Sequence, residues 1–158
     1  MDDIEALGSW LEPLLARLQP AEQRKLSREL ANELRRRQSA RIAAQQNADG
    51  TPYQPRAKPR QHKDSTGPAK AERQRVQAMF AKLRTNRFLK ASGDGHTATV
   101  QFVSRVERIA AVHQWGQLDR VEPGGPLVAY PARELLGFSY FDIEQLTEGL
   151  IRYLSTVS

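Results

Sequence analysis

The stretch from residue 106 to residue 139 constrains the fold more than any other part of the chain. It begins with apolar residues at helical spacing and reaches Trp115 and Gly116, where an aromatic followed by glycine suits a chain reversal. A glycine-rich loop then leads to the short apolar run 127–130. Pro131 ends this run and indicates that it is extended, because proline disfavours the helical region for the residue before it. The stretch holds no nucleophile, metal cluster or phosphate loop, and we interpret it as a shaped surface.

Two helices are predicted in residues 1–47, where apolar side chains recur every three or four positions. Pro13 interrupts the first apolar stripe. Because proline removes a helical hydrogen bond, we expect a break or kink there, and two short helices are an alternative to one. Pro20 suits the first turn of the second helix, and Glu22 complements its positive end. Together these segments predict an N-terminal helical hairpin.

Residues 48–68 are predicted to form an extended, basic, proline-rich loop. The pair Asp49-Gly50 is a turn signal that ends the preceding helix. Beyond this turn the segment is rich in proline, lysine and arginine, and it has almost nothing to bury except Tyr53. A loop of this length in a compact domain is either functional or disordered, and we favour function.

Residues 69–158 are predicted to form an α+β core, within one domain overall. Helical periodicity covers residues 69–83. The glycine-rich turn 92–96 is predicted to join two strands, of which the second is the alternating segment 97–103. The run 127–130 is a candidate third strand.

A final helix is predicted to open at Ser139, because Asp142 stands three residues further on, as in a capping box. The predicted fold class is therefore α+β: an N-terminal helical hairpin, a long basic loop, and a small antiparallel sheet with packed helices.

Charge is strongly segregated along the chain, although the net charge is only +6. Between Arg24 and Lys90 there are 18 Lys and Arg against 5 Asp and Glu, whereas the rest of the chain holds 6 against 13. A basic middle between acidic ends has three interpretations. The ends of one subunit attract the middle of another, the middle contacts nucleic-acid phosphates, or the charges form a solvated face.

Catalytic and metal-binding patterns are missing from the sequence. There is no cysteine, and the three histidines stand in three different contexts without metal-ligand spacing. We interpret His113 as a structural residue near the reversal at Gly116 rather than as a general base. We therefore predict no enzyme, no metal and no cofactor. No apolar run is long enough to span a membrane and the N-terminus does not resemble a signal peptide, so we expect a soluble protein made inside the cell.

The features that remain are those of binding surfaces. Aromatic residues cluster in the C-terminal third with arginines among them, and both types are enriched at interfaces. Phe138 and Phe141 are interpreted as core residues, whereas Tyr130 and Arg133 flank Pro131 at a rigid corner that presents a charge. The predicted subunit or tail interface comprises Tyr53, Arg56, Lys58, Arg60, Trp115, Arg120, Tyr130, Pro131 and Arg133. The possible DNA-facing residues are Arg35, Arg36, Arg37, Arg41 and Lys63.

Four segments in sequence order resemble one known family. They are IAAQQNADGTPY at 42–53, AMFAKLRTNRFLK at 78–90, AAVHQWG at 110–116, and YPARELLGFS at 130–139 followed by Asp142. This series is similar to the tail completion proteins of contractile-tailed temperate phages, also called the phage virion morphogenesis family. Each segment alone is moderately specific, whereas four in order are hard to obtain by chance. The resemblance covers nearly the whole chain.

The resemblance implies a structural virion protein that completes the head-proximal end of a phage tail and mediates head–tail joining as an oligomeric neck ring. It implies a homo-oligomer, with a hexamer expected because contractile tails are built from hexameric rings. Neighbours are expected among neck, tail tube and tail sheath proteins, with possible non-specific contact with genomic DNA. Assembly in the host cytoplasm and a final place in the virion are further expectations. The alternative is a basic nucleic-acid-binding accessory protein, although no helix-turn-helix or zinc-finger motif accompanies the arginine-dense second helix.

Overall fold

A computed structural model describes residues 2–57 and 78–157, which form helices and short antiparallel strands. In chain order these elements are α1 (Asp2–Leu15), α2 (Pro20–Ala43), β1 (Leu89–Gly93), β2 (Ala98–Phe102), α3 (Ser104–Trp115), β3 (Leu118–Arg120), β4 (Leu127–Ala129) and α4 (Tyr140–Val157). The predicted α+β class is confirmed. Among the described helices, none is both long enough and apolar enough to cross a membrane.

Helix α1 continues through Pro13 and ends two residues later, so of the two alternatives the structure shows one helix rather than two short helices separated at the proline. The leucines around the proline explain this, because Leu11 and Leu18 are buried in an apolar cluster with Leu26 of α2 and Leu154 of α4. Burial of such side chains contributes roughly 1.5–3 kcal/mol each, comparable with the penalty of about 3 kcal/mol for an internal proline.

Helix α2 begins at Pro20, as predicted. The carboxylate of Glu22 accepts a hydrogen bond from the backbone amide of Gln19 at 2.9 Å, which satisfies a donor at the helix start. The predicted apolar stripe is buried, with Leu26, Leu34 and further positions facing the core.

The predicted β-hairpin is confirmed as β1 and β2, which pair from Leu89 opposite Phe102 to Gly93 opposite Ala98. The hairpin lies directly against α2. A Cβ at Gly93 would stand 2.4 Å from the backbone carbon of Ser27, so only glycine fits this approach. This close contact fixes the position of the hairpin along α2.

Residues 127–129 form a strand, as predicted. This strand does not join the sheet of the hairpin as its third strand. It pairs instead with β3 in a separate two-stranded ribbon, with Leu118 opposite Ala129. The reason lies at the end of α3, where Gly116 adopts the left-handed conformation (φ 65°) and reverses the chain. The residues that follow the reversal are then the nearest strand partner.

The helix predicted for 69–83 is wrong for the part that the structure describes. Residues 79–84 form turns, and Phe80 has a φ of 64°, which no right-handed helix contains. Tertiary contacts override the periodicity: the Gln45 side chain accepts from the Met79 amide at 2.8 Å and donates to the Met79 carbonyl at 2.9 Å. Residues 69–77 lie outside the described residues.

The capping box at the start of α4 is confirmed. Asp142 Oδ2 accepts from the Ser139 amide at 3.0 Å, and Ser139 Oγ accepts from the Asp142 amide at 3.0 Å. These reciprocal bonds satisfy two backbone donors and set the direction in which α4 leaves the preceding segment.

Candidate subunit interface

The four family-like segments meet in one apolar core. Its buried members are Ile42 and Tyr53 from the first segment, Met79 from the second, Ala110 from the third and Leu135 from the fourth. Ile42 and Leu135 are completely buried. The segments thus build a single structural unit, which we call the frame.

Polar side chains tie the frame together through the backbone. Asn47 Oδ1 accepts from the Glu134 amide at 2.9 Å, and Glu134 Oε2 accepts in return from the Ala48 amide at 2.9 Å. Gln114 Oε1 accepts from the Leu135 amide at 2.8 Å. These bonds satisfy backbone groups that lie outside the helices and strands and would otherwise be unpaired inside the protein.

A buried arginine binds residues 54 and 55 to the rest of the frame. Arg133 is 3% exposed, so the expectation that it presents its charge at the surface was wrong. Its Nε donates to the Gln54 carbonyl at 2.7 Å and its Nη2 to the Pro55 carbonyl at 3.1 Å. Its own amide donates to the His113 carbonyl at 2.7 Å. Burial lowers the pKa of Arg133. The rigid fork of the guanidinium fixes the path of two consecutive peptide units.

Four rings form a line beside this arginine. Tyr53 and Phe80 make a T-shaped contact at 5.9 Å between ring centroids, Phe80 and His113 at 4.8 Å, and His113 and Tyr130 at 4.9 Å. The Tyr53 hydroxyl donates to the Glu134 carbonyl at 2.9 Å, and burial raises the pKa of Tyr53 to about 12. Burial also lowers the pKa of His113, which favours its neutral form. This packing agrees with a structural role for His113.

The junction of α2 and α4 buries a second arginine. Arg41 Nη1 lies 3.1 Å from Asp142 Oδ2, and the two side chains are 10% and 7% exposed. The same nitrogen donates to the Gly137 carbonyl at 3.0 Å, and Nη2 donates to Gln38 Oε1 at 2.5 Å. Because Arg41 is enclosed by these partners, the surface position expected of a DNA-facing residue was wrong.

The other predicted DNA-facing arginines of α2 have partners within the chain. Arg36 Nη2 lies 2.6 Å and Arg37 Nε 2.9 Å from the Glu33 carboxylate, and hydrogen bonding to Arg36 lowers the pKa of Glu33. Arg35 donates to Asn86 Oδ1. The Arg36 side chain nevertheless remains 66% exposed. Contact of these three arginines with DNA stays a prediction.

Large apolar side chains are exposed where α3 ends and where α4 begins. Trp115 is 69% exposed, and Phe138, Tyr140 and Phe141 are 61%, 83% and 58% exposed. The core position predicted for Phe138 and Phe141 was wrong. The neighbouring groups are the ones held inside, since Gln38 and Arg41 bind the Gly137 carbonyl and the Asp142 carboxylate is buried. Phe141 instead lies 5.2 Å from the Arg37 guanidinium at the surface. Exposed aromatic groups of this kind mark interaction surfaces.

The remaining predicted interface residues differ in their exposure to solvent. Arg56 and Arg120 are exposed, and Tyr130 and Pro131 are half-buried. Tyr53 is 4% exposed and belongs to the core of the frame, so it can support an interface only by packing beneath the surface residues and not by direct contact. Participation of these residues in an interface stays a prediction. Three predicted residues lie outside the described part of the chain: Lys58, Arg60 and Lys63.

Sequence reasoning missed the polar residues that hold the frame. A signal for them existed, because every one except Gln38 lies inside a family-like segment, but apolar spacing alone does not identify polar residues. These residues are Gln38, Gln45, Asn47, Gln114 and Glu134.

This arrangement is typical of a structural or binding protein. Its buried polar groups bind one another, and its surface carries exposed apolar side chains. Within residues 2–57 and 78–157, no cluster of three or more His, Asp or Glu side chains is placed to hold a metal ion.

The chain belongs to the phage virion morphogenesis family, whose model matches residues 2–155. It is similar to the tail completion protein S of Escherichia phage P2, with 37% identity over 155 residues, covering 98% of this chain and 99% of that protein. The family resemblance expected from the four segments is therefore confirmed. No solved structure matches the chain.

Proposed function

We propose that this chain is a structural protein of a phage virion that completes the head-proximal end of the tail and joins it to the head. The observation that carries the proposal is the similarity, over 98% of this chain and 99% of the relative, to a protein named tail completion protein S. Because the match covers almost all of both chains, the named role belongs to a part of the relative that this chain shares.

The second element of the proposal is that copies of this chain act as a ring in the neck of the virion. A ring requires one surface of each subunit to bind a different surface of the next. The exposed aromatic groups at the start of α4 and the end of α3 supply apolar surface for such contacts. Sixfold symmetry is our expectation because the rings of contractile tails have it.

The third element concerns the segment 48–68, which we propose to contact a neighbouring subunit or the tail tube. Arg133 fixes the carbonyls of Gln54 and Pro55, whereas Arg56 and Ala57 are exposed, so the described part of this segment reaches the surface of the frame. The sequence beyond this point is basic, and an acidic surface on a neighbour would attract it.

Complementation tests these elements in the assembling phage. A phage that lacks the gene for this chain is supplied with the full chain, with a chain lacking residues 58–64, or with one carrying a Gly/Ser replacement of equal length. We expect electron microscopy to show unjoined heads and tails without the chain, joined particles with the full chain, and few joined particles with either variant. Joined, infectious particles in the absence of the chain would refute the tail role. Normal particles with the Gly/Ser replacement would refute only the role of the segment.

The alternative, a nucleic-acid-binding accessory protein, has less support from the described residues. Arg41 is enclosed, and Arg36 and Arg37 share the carboxylate of Glu33. Non-specific DNA binding predicts retention of DNA that weakens steeply as salt rises. Purified protein that retains DNA at low salt but does not restore joining would favour this alternative.

A further inference from the structure

The outer edge of strand β2 has backbone groups that point away from its partner strand. Val103 donates to the Phe88 carbonyl at 2.9 Å and Asp94 donates to the Thr97 carbonyl at 3.3 Å, which sets the phase of the antiparallel ladder. In such a ladder, alternate residues direct their amides and carbonyls outwards. The outward residues of β2 are Ala98, Val100 and Phe102, and none bonds through its backbone to another described element.

Strand β4 has an outer edge of the same kind. Tyr130 donates to the Gln117 carbonyl at 3.1 Å, so Leu127 and Ala129 direct their amides and carbonyls away from β3. Their backbone groups also make no hydrogen bond to another described element.

Neither edge carries the residues that protect the open edges of monomeric proteins. Natural edge strands are blunted by charged side chains, proline or bulges. Strand β2 reads ATVQF and β4 reads LVA, and neither contains a charge or a proline. By contrast, β1 contains Lys90 and lies against α2, and β3 contains Asp119 and Arg120. The unprotected edges are therefore suited to pairing.

The two edges differ in shape. Beside β2 runs a groove of about 580 Å³, whose lining includes Phe102, Ala110, Ala111, Trp115 and Leu136. The β3–β4 ribbon instead presents apolar side chains to solvent, since Leu118, Val121 and Leu127 are each 60% exposed or more. One edge thus lies beside an apolar depression and the other carries apolar projections.

The two surfaces also offer one pair of opposite charges, in addition to the exposed Glu122 in the loop between β3 and β4. Glu107 lies on the wall of the β2 groove and Arg120 lies on the ribbon, and both are exposed. A ribbon that enters the groove brings a cation towards the carboxylate, which favours this pairing and its orientation.

We propose that the β4 edge of one copy of this chain adds to the β2 edge of a second copy, with the apolar side chains of the ribbon in the groove. The inference rests on the proposed function in that it assumes the copies associate, and it names the surfaces through which they do so. The contact joins two different surfaces, so repeated pairing closes into a ring when the rotation between neighbours permits it.

Site-directed crosslinking tests the pairing directly, because the chain contains no cysteine. Gln101→Cys marks the β2 edge and Ala129→Cys marks the β4 edge, and both positions are exposed. The purified variants, and particles assembled with them, are treated with a short bismaleimide. We expect crosslinked dimers when the two single variants are mixed, a ladder of multimers for the double variant, and only monomers for each variant alone.

A charge placed on the ribbon gives an independent readout. Leu127→Lys supplies the protection that β4 lacks, and we expect it to weaken self-association by roughly tenfold or more without changing the thermal unfolding of the monomer. The matched control is Ile151→Lys, at an exposed position on α4 that lines neither the β2 groove nor the ribbon, which should associate like the unmodified chain.

The outcomes separate this inference from the proposed function. Crosslinking of Gln101→Cys with itself would indicate two-fold pairing of β2 and would overturn the β4–β2 contact. Rings without a crosslink between positions 101 and 129 would overturn the contact and leave the ring intact. Absence of both rings and crosslinks, in solution and in particles, would refute the contact and the ring together.

Discussion

Replacing Arg133 by methionine should loosen the attachment of residues 54 and 55 to the frame. The guanidinium makes two charge-assisted bonds, to the carbonyls of Gln54 and Pro55, and such bonds contribute roughly 1.5–3 kcal/mol each. Two effects reduce the loss. Gln54 and Pro55 are exposed, so water can take over their carbonyls, and the variant no longer buries a charge. We expect the free energy of unfolding to fall by about 1–3 kcal/mol.

The assay combines global and local measurements. Urea unfolding followed by circular dichroism gives the change in the free energy of unfolding. Trypsin reports the local change, because the exposed Arg56 directly follows the two anchored residues and provides a cleavage site there. A local loss of about 1.4 kcal/mol should raise the rate of cleavage after Arg56 roughly tenfold. Mass spectrometry distinguishes this cleavage from cuts elsewhere.

Two control variants make the prediction specific. Arg133→Lys keeps the charge but cannot bind two carbonyls with a planar fork, so it should restore stability only in part. Arg120→Met removes an exposed arginine and should change the free energy of unfolding by less than about 0.5 kcal/mol. Arg133→Met with unchanged unfolding and unchanged cleavage after Arg56 would refute the anchoring role.

Further predictions concern three other buried or strongly bonded groups. Arg41→Met leaves the Asp142 carboxylate buried without its cation and should lower the free energy of unfolding by about 3–5 kcal/mol. The double variant, which also carries Asp142→Asn, should lose less than the sum of the two single variants. Urea unfolding of the two single variants and the double variant checks this. Tyr53→Phe removes the bond to the Glu134 carbonyl and should cost about 1–2 kcal/mol, measured in the same way. In the unmodified protein the folded-state pKa of Tyr53 lies at about 12, above the usual 10.0, so its contribution to stability is present below pH 10.0 and is lost as pH rises towards 12; tyrosinate absorbance that titrates entirely near pH 10.0 in the folded protein would contradict this. Hydrogen bonds from Thr97 and His96 lower the pKa of Asp94 to about 2, so NMR should show its carboxyl titrating near pH 2 rather than near 3.8. The contribution of this carboxylate to the stability of the turn is therefore present above pH 3.8 and is lost as pH falls from 3.8 towards 2.

Local signals in the sequence were sufficient for three helix boundaries. Pro20 begins α2, Gly116 ends α3 in the left-handed conformation, and Ser139 with Asp142 opens α4. In each case the deciding interaction lies within a few residues along the chain, so residue type and spacing carry the information.

The errors share one physical cause, which is that the partners are distant in the sequence. Phe80 leaves the helical conformation because the neighbouring Met79 is bonded to Gln45, which lies 34 positions earlier. Arg133 is buried because its carbonyl acceptors lie 78 and 79 positions before it. An arginine in a linear sequence looks the same whether it meets carbonyls or water, and only the folded chain supplies the acceptors.

The sequence by itself determined the α+β class, the start of α2, the end of α3, the start of α4, the hairpin and, through four spaced segments, the family. Those features depend on residue type and on short spacing along the chain, and both can be read directly from the sequence. Tertiary structure alone decided which charges are buried, which aromatic rings reach solvent, and that β4 pairs with β3 rather than with the hairpin. These outcomes depend on groups brought together from far apart, such as Arg41 and Asp142, separated by 101 positions in the chain and by 3.1 Å in space.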